Sequence, residues 1–286
     1  MTDISTSHGE RMKRRVAILI SGRGSNMAAL IEGARAADFP AEIVLVLANT
    51  PDAAGLARAR QAGIATEVID SKPFGKDRAG FEAAMQTVLD ANGIDLICLG
   101  GDLVDSRPAE VQLLDGFLRR LRAPLGVFGV LGNHEYYPAR NVGEWIGFLE
   151  DRGVRVLINR GERVAFHGGS AWIAGVDDLT EGEPRIEAAL RGRRWDEPTL
   201  LLSHHPDLFL EAATHDVDLQ LSGHTHGGQI RIKGWQPLVH TRFGLHRGAF
   251  RHNGTHLYVG RGVGVTVAPV RIDAAPEVAL VRWGGA

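Results

Sequence analysis

Four times in this chain a short apolar run gives way to a tight turn followed by Asp, Asn or His. Residues 96–99 lead into Gly101-Asp102-Leu103-Val104-Asp105, and residues 127–131 into Gly132-Asn133-His134-Glu135. Residues 199–202 lead into Ser203-His204-His205-Pro206, and residues 217–221 into Gly223-His224-Thr225-His226-Gly227-Gly228. Strand, sharp turn and polar side chain is how open α/β sheets set their sites at the carboxyl edge of the strands. In extended chain, residues i and i+2 point the same way, so His224 and His226 can aim at one spot. Flanking glycines let the backbone come close to whatever sits there. One such turn alone reads as a polar loop. Four of them, offering Asp, Asn and His, suit a cluster for a borderline divalent metal.

The remaining composition narrows the partners. A length of 286 residues fits one or two domains. Apolar residues are 44% and charged residues 23%, as in an ordinary soluble globular protein. A net charge of −2 gives no general attraction for nucleic acid or an anionic membrane, so neither is an expected partner. The basic cluster Arg191, Arg193 and Arg194 reads as a solvated loop, without the wider basic face that nucleic acid requires. Cys98, the single cysteine, sits in an apolar strand and reads as core. No apolar run is long enough to span a bilayer. Arg14-Arg15 precedes an apolar run too short for an export signal, broken at Ser21-Gly22. The expected location is cytoplasmic.

Read in order, residues 1–13 form a tail expected to be disordered at its start. Strands are expected at 16–20, 43–47, 65–69 and 94–99, with helices after residue 26, at 53–61 and at 77–91. This alternation predicts a parallel sheet with right-handed crossovers. The turn Ser21-Gly22-Arg23-Gly24-Ser25-Asn26, between a strand and a helix, has the geometry that holds phosphate on backbone N–H groups. Further helices are expected at 108–121 and 142–151. Short strands at 155–158, 162–166 and 171–176 suggest an antiparallel second sheet. The Gly-rich turn at 260–264 follows an apolar run at 257–259 and by itself identifies nothing.

The ordered set GDxxD, GNHE, SHxP and GHTHGGQ resembles the calcineurin-like metallophosphoesterases from about residue 100 onward. Within them it is most similar to the small bacterial phosphohydrolases of the UDP-diacylglucosamine pyrophosphatase type. The resemblance implies that Asp102 bridges two metals. It gives Asn133, His204 and His224 to one metal and His226 to the other. His134 would orient or protonate the leaving-group oxygen. Asp105 and Glu135 would fix ligand geometry from behind, and His205 would pack or bond nearby. His167 and His240 are read as structural or exposed. The family also carries an Asp-x-His at the end of its first strand. No Asp-x-His occurs in this chain.

Residues 14–100 resemble a second family. Ser21-Gly22-x-Gly24-Ser25-Asn26, Ala48-Asn49, Gly55-Leu56-Ala57 and Ala62-Gly63-Ile64 are similar to the N-terminal half of phosphoribosylglycinamide formyltransferase. That resemblance implies a phosphate held by Gly24, Ser25 and Asn26. The half bearing the family's catalytic Asn, His and Asp is absent here, so formyl transfer is not expected. Both families place the first strand beside the strand that ends at the junction. Residues 16–20 would then lie parallel to 94–99, bringing the loop of Ser25 next to Asp102.

The expected fold is therefore α/β, a parallel Rossmann-like βαβ half (14–100) continuing into a metallophosphoesterase-like α/β/β/α sandwich (101–286). The expected function is metal-dependent hydrolysis of a phosphoric ester or pyrophosphate of a small molecule, impaired because half of one metal site is missing. Divalent Mn, Fe, Zn or Mg would serve, one tightly bound and a second weakly bound or not at all. The alternative is a non-catalytic phosphate- or nucleotide-binding fusion.

Overall fold

The computed structural model describes residues 14–20, 41–48, 54–69, 73, 84, 87, 94–104, 110–137, 142–166, 169–230, 241–262, 271, 272 and 274. Strands β1 (Arg14–Ile20), β2 (Ala41–Ala48) and β3 (Ala65–Val68) form a parallel sheet in that order. Helix α1 (Ala54–Gln61) connects β2 to β3 and buries Leu56 and Ala59, which are one turn apart. The expected strands at 16–20, 43–47 and 65–69 and the helix at 53–61 correspond to these elements. The expected helices after residue 26 and at 77–91 lie largely outside the described residues.

A second parallel sheet contains β4 (Ile97–Leu99), β5 (Val127–Gly129) and β6 (Val154–Val156). Helices α2 (Glu110–Arg120) and α3 (Val142–Glu150) make its crossovers. Two expectations are corrected here. β1 pairs with β2 and belongs to a different sheet from β4, so the predicted neighbouring of residues 16–20 and 94–99 does not occur. Among the described residues the ladder partner of β4 is β5, and that of β1 is β2. The strand expected at 155–158 joins no antiparallel sheet either. It follows α3 and returns parallel to β5, as a strand does after a helical crossover.

The third sheet has the order β11-β12-β10-β9-β8-β7. It contains β7 (Arg160–Phe166), β8 (Gly169–Gly175), β9 (Thr199–Leu202), β10 (Leu219–Ser222), β11 (Gly248–His252) and β12 (Thr255–Val259). β8, β9, β10 and β12 run parallel; the edge strands β7 and β11 are antiparallel to their neighbours. The antiparallel pairing expected of 162–166 with 171–176 is the hairpin β7–β8.

Alternation along the strands builds the layers. Val127 packs with Leu118 of α2, Trp145 and Leu149 of α3 and Val156. The next residue, Phe128, points the other way, onto Ile173, Leu200 and Leu202 of the third sheet. There Leu201, Trp172 and Ala174 face outward, where α4 (Ile186–Ala189) and α5 (Phe209–Ala212) cover them with Ile186, Ala189 and Ala212. The sequence of layers is helix, sheet, sheet, helix. Arg152 fastens the outer helices, with Nε donating to Asp115 Oδ1 at 2.8 Å and Nη1 donating to Phe148 O at 2.7 Å. Cys98 packs against the apolar layer between the sheets, and burial pushes its thiol up to about 12. Among the described residues no helix is long and apolar enough to cross a membrane.

Candidate metal centre

β4 and β5 run parallel in one sheet and β9 and β10 in another, and contacts between the turns that follow them bring their carboxyl ends together. Asp102 follows β4, Asn133 follows β5, His204 follows β9 and His224 follows β10. The turns after β4 and β5 interlock. Glu135 is fully buried and accepts N–H bonds from Gly132 (2.7 Å), Asp102 (2.9 Å), Leu103 (2.7 Å) and Val104 (3.4 Å). One carboxylate thereby staples the Gly-Asp turn to the Gly-Asn turn. Burial and the nearby Asp102 charge push its carboxyl up to about 7, against the pull of those N–H groups. Asp102 Oδ1 accepts the His134 N–H at 3.0 Å, a second tie between the turns. A Cβ on Gly132 would stand 2.2 Å from Asp102 Oδ1 and 2.8 Å from His204 Cε1, so only glycine fits.

Strain concentrates at the same place. Asp102 (φ 51), His224 (φ 62) and His226 (φ 48) are among the seven described non-glycine residues with positive φ. Such backbone costs about 1–3 kcal/mol per residue and gathers where function requires it.

His204 is buried, with Nδ1 2.7 Å from Gly100 O and Nε2 3.0 Å from Asp102 Oδ2. The carbonyl holds a proton on Nδ1 and turns Nε2 toward the carboxylate. Burial opposes charge on this ring, but the Asp102 carboxylate overrides it and raises its pKa to about 9. Burial also works against Asp102, which His204 nevertheless brings down to about 2. His224 behaves oppositely: burial, then His205 and His204, push it down to about 3 and keep it neutral. Its Nδ1 lies 3.2 Å from His204 Nε2 and 3.1 Å from Asn133 Oδ1.

Asp102 Oδ2, His204 Nε2, His224 Nδ1 and Asn133 Oδ1 thus form a run of donor atoms spaced 3.0, 3.2 and 3.1 Å. Ligands about 2.0–2.2 Å from a divalent ion stand about 3–3.5 Å from one another. The donor set and its spacing therefore fit a divalent ion.

His205 is buried beside this set. Its ring stacks on His224, with centroids 3.7 Å apart, and its Nδ1 lies 3.0 Å from Asp178 Oδ2. Asp178 is fully buried, and its other oxygen accepts from Thr180 N, Thr180 Oγ1 and Glu181 N. Burial opposes its ionisation, yet His205 and these donors hold the carboxyl well below the usual range. His204, His205 and His224 each present a nitrogen within 4.8 Å of the others. His226 sits differently. Its Nδ1 is 3.2 Å from Arg271 Nη2, and its carbonyl accepts from Arg271 Nη1 at 3.1 Å. Burial, then Arg261, bring the Arg271 guanidinium down to about 10, still charged at neutral pH.

Gly24, Ser25, Asn26, Asp105, His167 and His240 lie outside the described residues. The sequence reading missed three side chains: Asp178, Arg271 and Tyr137, whose hydroxyl accepts from Asn133 Nδ2. A local signal existed for two of them. Asp178 lies three residues past the end of β8, and Tyr137 two residues past the Gly-Asn-His-Glu turn. Arg271 carried none.

The calcineurin-like phosphoesterase profile matches residues 75–228. The formyl transferase profile matches residues 14–102, so residues 75–102 fall within both. The uncharacterized metallophosphoesterase YkuE of Bacillus subtilis is 34% identical over 191 residues, 65% of this chain and 66% of its own length. An uncharacterized metallophosphoesterase of Aquifex aeolicus is 36% identical over 200 residues, 67% of this chain and 73% of its own. The crystal structure of phosphoribosylglycinamide formyltransferase from Brucella melitensis is 42% identical, with a TM-score of 0.29, over 37% of this chain and 53% of that one. The chain spans 66% and 51% of the length of the Bacillus relative and of a Helicobacter pylori relative.

Proposed function

The chain belongs to the calcineurin-like phosphoesterases, and from that premise we propose that it hydrolyses a phosphoric ester or pyrophosphate of a small molecule around one tightly held divalent ion. The observation that carries this reading is the convergence of Asp102, Asn133, His204 and His224 from four strand ends, with donor spacings of 3.0–3.2 Å. When bound, the ion supplies Lewis acidity toward a phosphoryl oxygen and its attacking water. Mn, Fe, Zn and Mg all remain candidates for it.

The side chains do the rest. Asp102 and Asn133 offer oxygen, and His204 and His224 offer ring nitrogens, that of His204 turned toward the centre by the bond from its Nδ1 to Gly100 O. Glu135 holds the two turns in register. His134 is tied by its N–H to Asp102 and only half-buried. Its imidazole gives a proton to the departing oxygen.

Among the described residues the resemblance gives a second ion only Asp102 and His226, and His226 Nδ1 faces the Arg271 cation. Tight sites take about three or four protein ligands. This favours one tight ion and a second bound weakly or not at all, with hydrolysis slowed accordingly. We further propose a division near residue 100, the front segment contributing a phosphate-holding turn at Gly24, Ser25 and Asn26.

Metal-supplemented turnover of an aryl phosphate, a phosphodiester and a pyrophosphate tests the reading. Activity of the intact chain should exceed that of His134→Ala by about 10²–10⁴-fold, the usual range for a general acid. Turnover no greater than that of His134→Ala and Asp102→Asn would sink it.

A further inference from the structure

Tyr137 ends the turn that carries Asn133 and His134, and its side chain touches both. Its hydroxyl accepts a hydrogen bond from Asn133 Nδ2 at 3.0 Å. Its ring meets the His134 ring edge-on, with centroids 5.1 Å apart and planes at 67°. The Tyr137 N–H closes the turn on His134 O at 3.4 Å. We propose that Tyr137 is the positioning residue that turns the Asn133 amide so that its oxygen faces the metal centre. The inference rests on the reading of Asn133 as a ligand.

The argument follows from the shape of an amide. Its oxygen is a ligand and its NH2 is not, yet the two ends are nearly the same size. A half-turn about the last side-chain torsion would therefore present a non-ligand without changing the packing. Asn133 is only 6% exposed, so water does not meet the needs of its NH2 group. With Oδ1 directed at His224 Nδ1 (3.1 Å), Nδ2 finds its acceptor in the Tyr137 hydroxyl. Removing the hydroxyl leaves the buried Nδ2 unpaired in the orientation that binds metal. Tyr137 is 38% exposed, and its side-chain contacts to the centre are the edge of the His134 ring and the Asn133 amide.

The test is Mn2+ titration calorimetry on the full chain, supported by the visible d–d absorption of bound Co2+. Tyr137→Phe keeps the ring and removes the acceptor, and should weaken Mn2+ binding about 10–100-fold, as loss of a ligand-orienting partner does. In an Asn133→Asp background the same substitution should weaken binding less than about twofold, because a carboxylate offers an oxygen whichever way it turns. Equal weakening in both backgrounds would overturn the inference, since the hydroxyl would then act through general structure. His224→Ala separates this inference from the underlying reading. Loss of Mn2+ binding there, with Tyr137→Phe unchanged, overturns the role of Tyr137 alone. Undiminished binding in His224→Ala overturns the metal centre itself.

Discussion

Gly132→Ala adds one methyl group at the tightest point of the centre. The backbone at Gly132 (φ −103, ψ −177) suits alanine, so any penalty comes from contact and not from torsion. The new Cβ would lie 2.2 Å from Asp102 Oδ1, 2.7 Å from Asp102 N and 2.8 Å from His204 Cε1. Ordinary carbon–oxygen contact begins about 1.2 Å further out than the first of these. Two of the three neighbours are in Asp102, whose N–H is pinned to Glu135 and whose Oδ1 is pinned to the His134 N–H. Relief therefore displaces the carboxylate by about 1 Å, and a misplacement of that size costs about 10²-fold in site chemistry. Overpacking of this kind also costs about 1–3 kcal/mol of stability. At about 2–4 °C per kcal/mol for a chain of this size, the midpoint should fall by about 2–12 °C. Gly147→Ala is the control. That glycine is in α3 with nothing within 4 Å of the added Cβ, so the change should stabilise by about 0.5–1 kcal/mol. Calorimetric Mn2+ affinity, turnover and thermal unfolding should be measured on all three proteins. Gly132→Ala that binds Mn2+ and turns over like the unsubstituted chain would refute the reasoning, because the turns would then be free to separate.

Four further outcomes are expected. In the metal-free protein His204 titrates near 9 and His224 near 3. At neutral pH His204 therefore carries a proton that coordination must expel. Calorimetry in buffers of different ionisation enthalpy should find about one proton released near pH 7.5, with affinity rising about tenfold per pH unit up to about 9. The same raised pKa makes the His204–Asp102 pair stabilise the chelated protein fully below about 6.5, a contribution lost as pH rises through 9. Chelated protein as stable at high pH as near pH 6 would contradict that. Metal analysis after dialysis should give about one ion per chain, lost in His224→Ala and kept in His226→Ala; two tightly held ions would defeat the one-site reading. Leu201→Ala, at a fully buried position beneath α5, should cost about 2–5 kcal/mol in denaturant unfolding, and a cost under about 1 kcal/mol would mean that this layer is not packed as described.

The amino-acid sequence by itself determined the parts whose signal is local. Apolar alternation followed by a turn marks β4, β5, β9 and β10, and the next residues are the donors Asp102, Asn133, His204 and His224. An α/β chain with its polar chemistry at strand ends follows from those short windows alone. Tertiary structure decided which partners meet. That His204 lies 3.0 Å from Asp102, 102 positions away in the chain, depends on two sheets stacking through Phe128, Ile173 and Leu200. Local pattern did not reveal that β1 joins β2 and not β4, or that β6 returns parallel to β5. Ladder partners are chosen by packing across the whole domain, and an apolar strand looks the same beside any neighbour. His226 makes the same point at one side chain. Its spacing from His224 suggested a shared target, but its backbone turns left-handed and its Nδ1 meets Arg271, 45 positions along the chain. A residue's type and spacing say what it can bind, and only the folded contacts say which group has taken its lone pair.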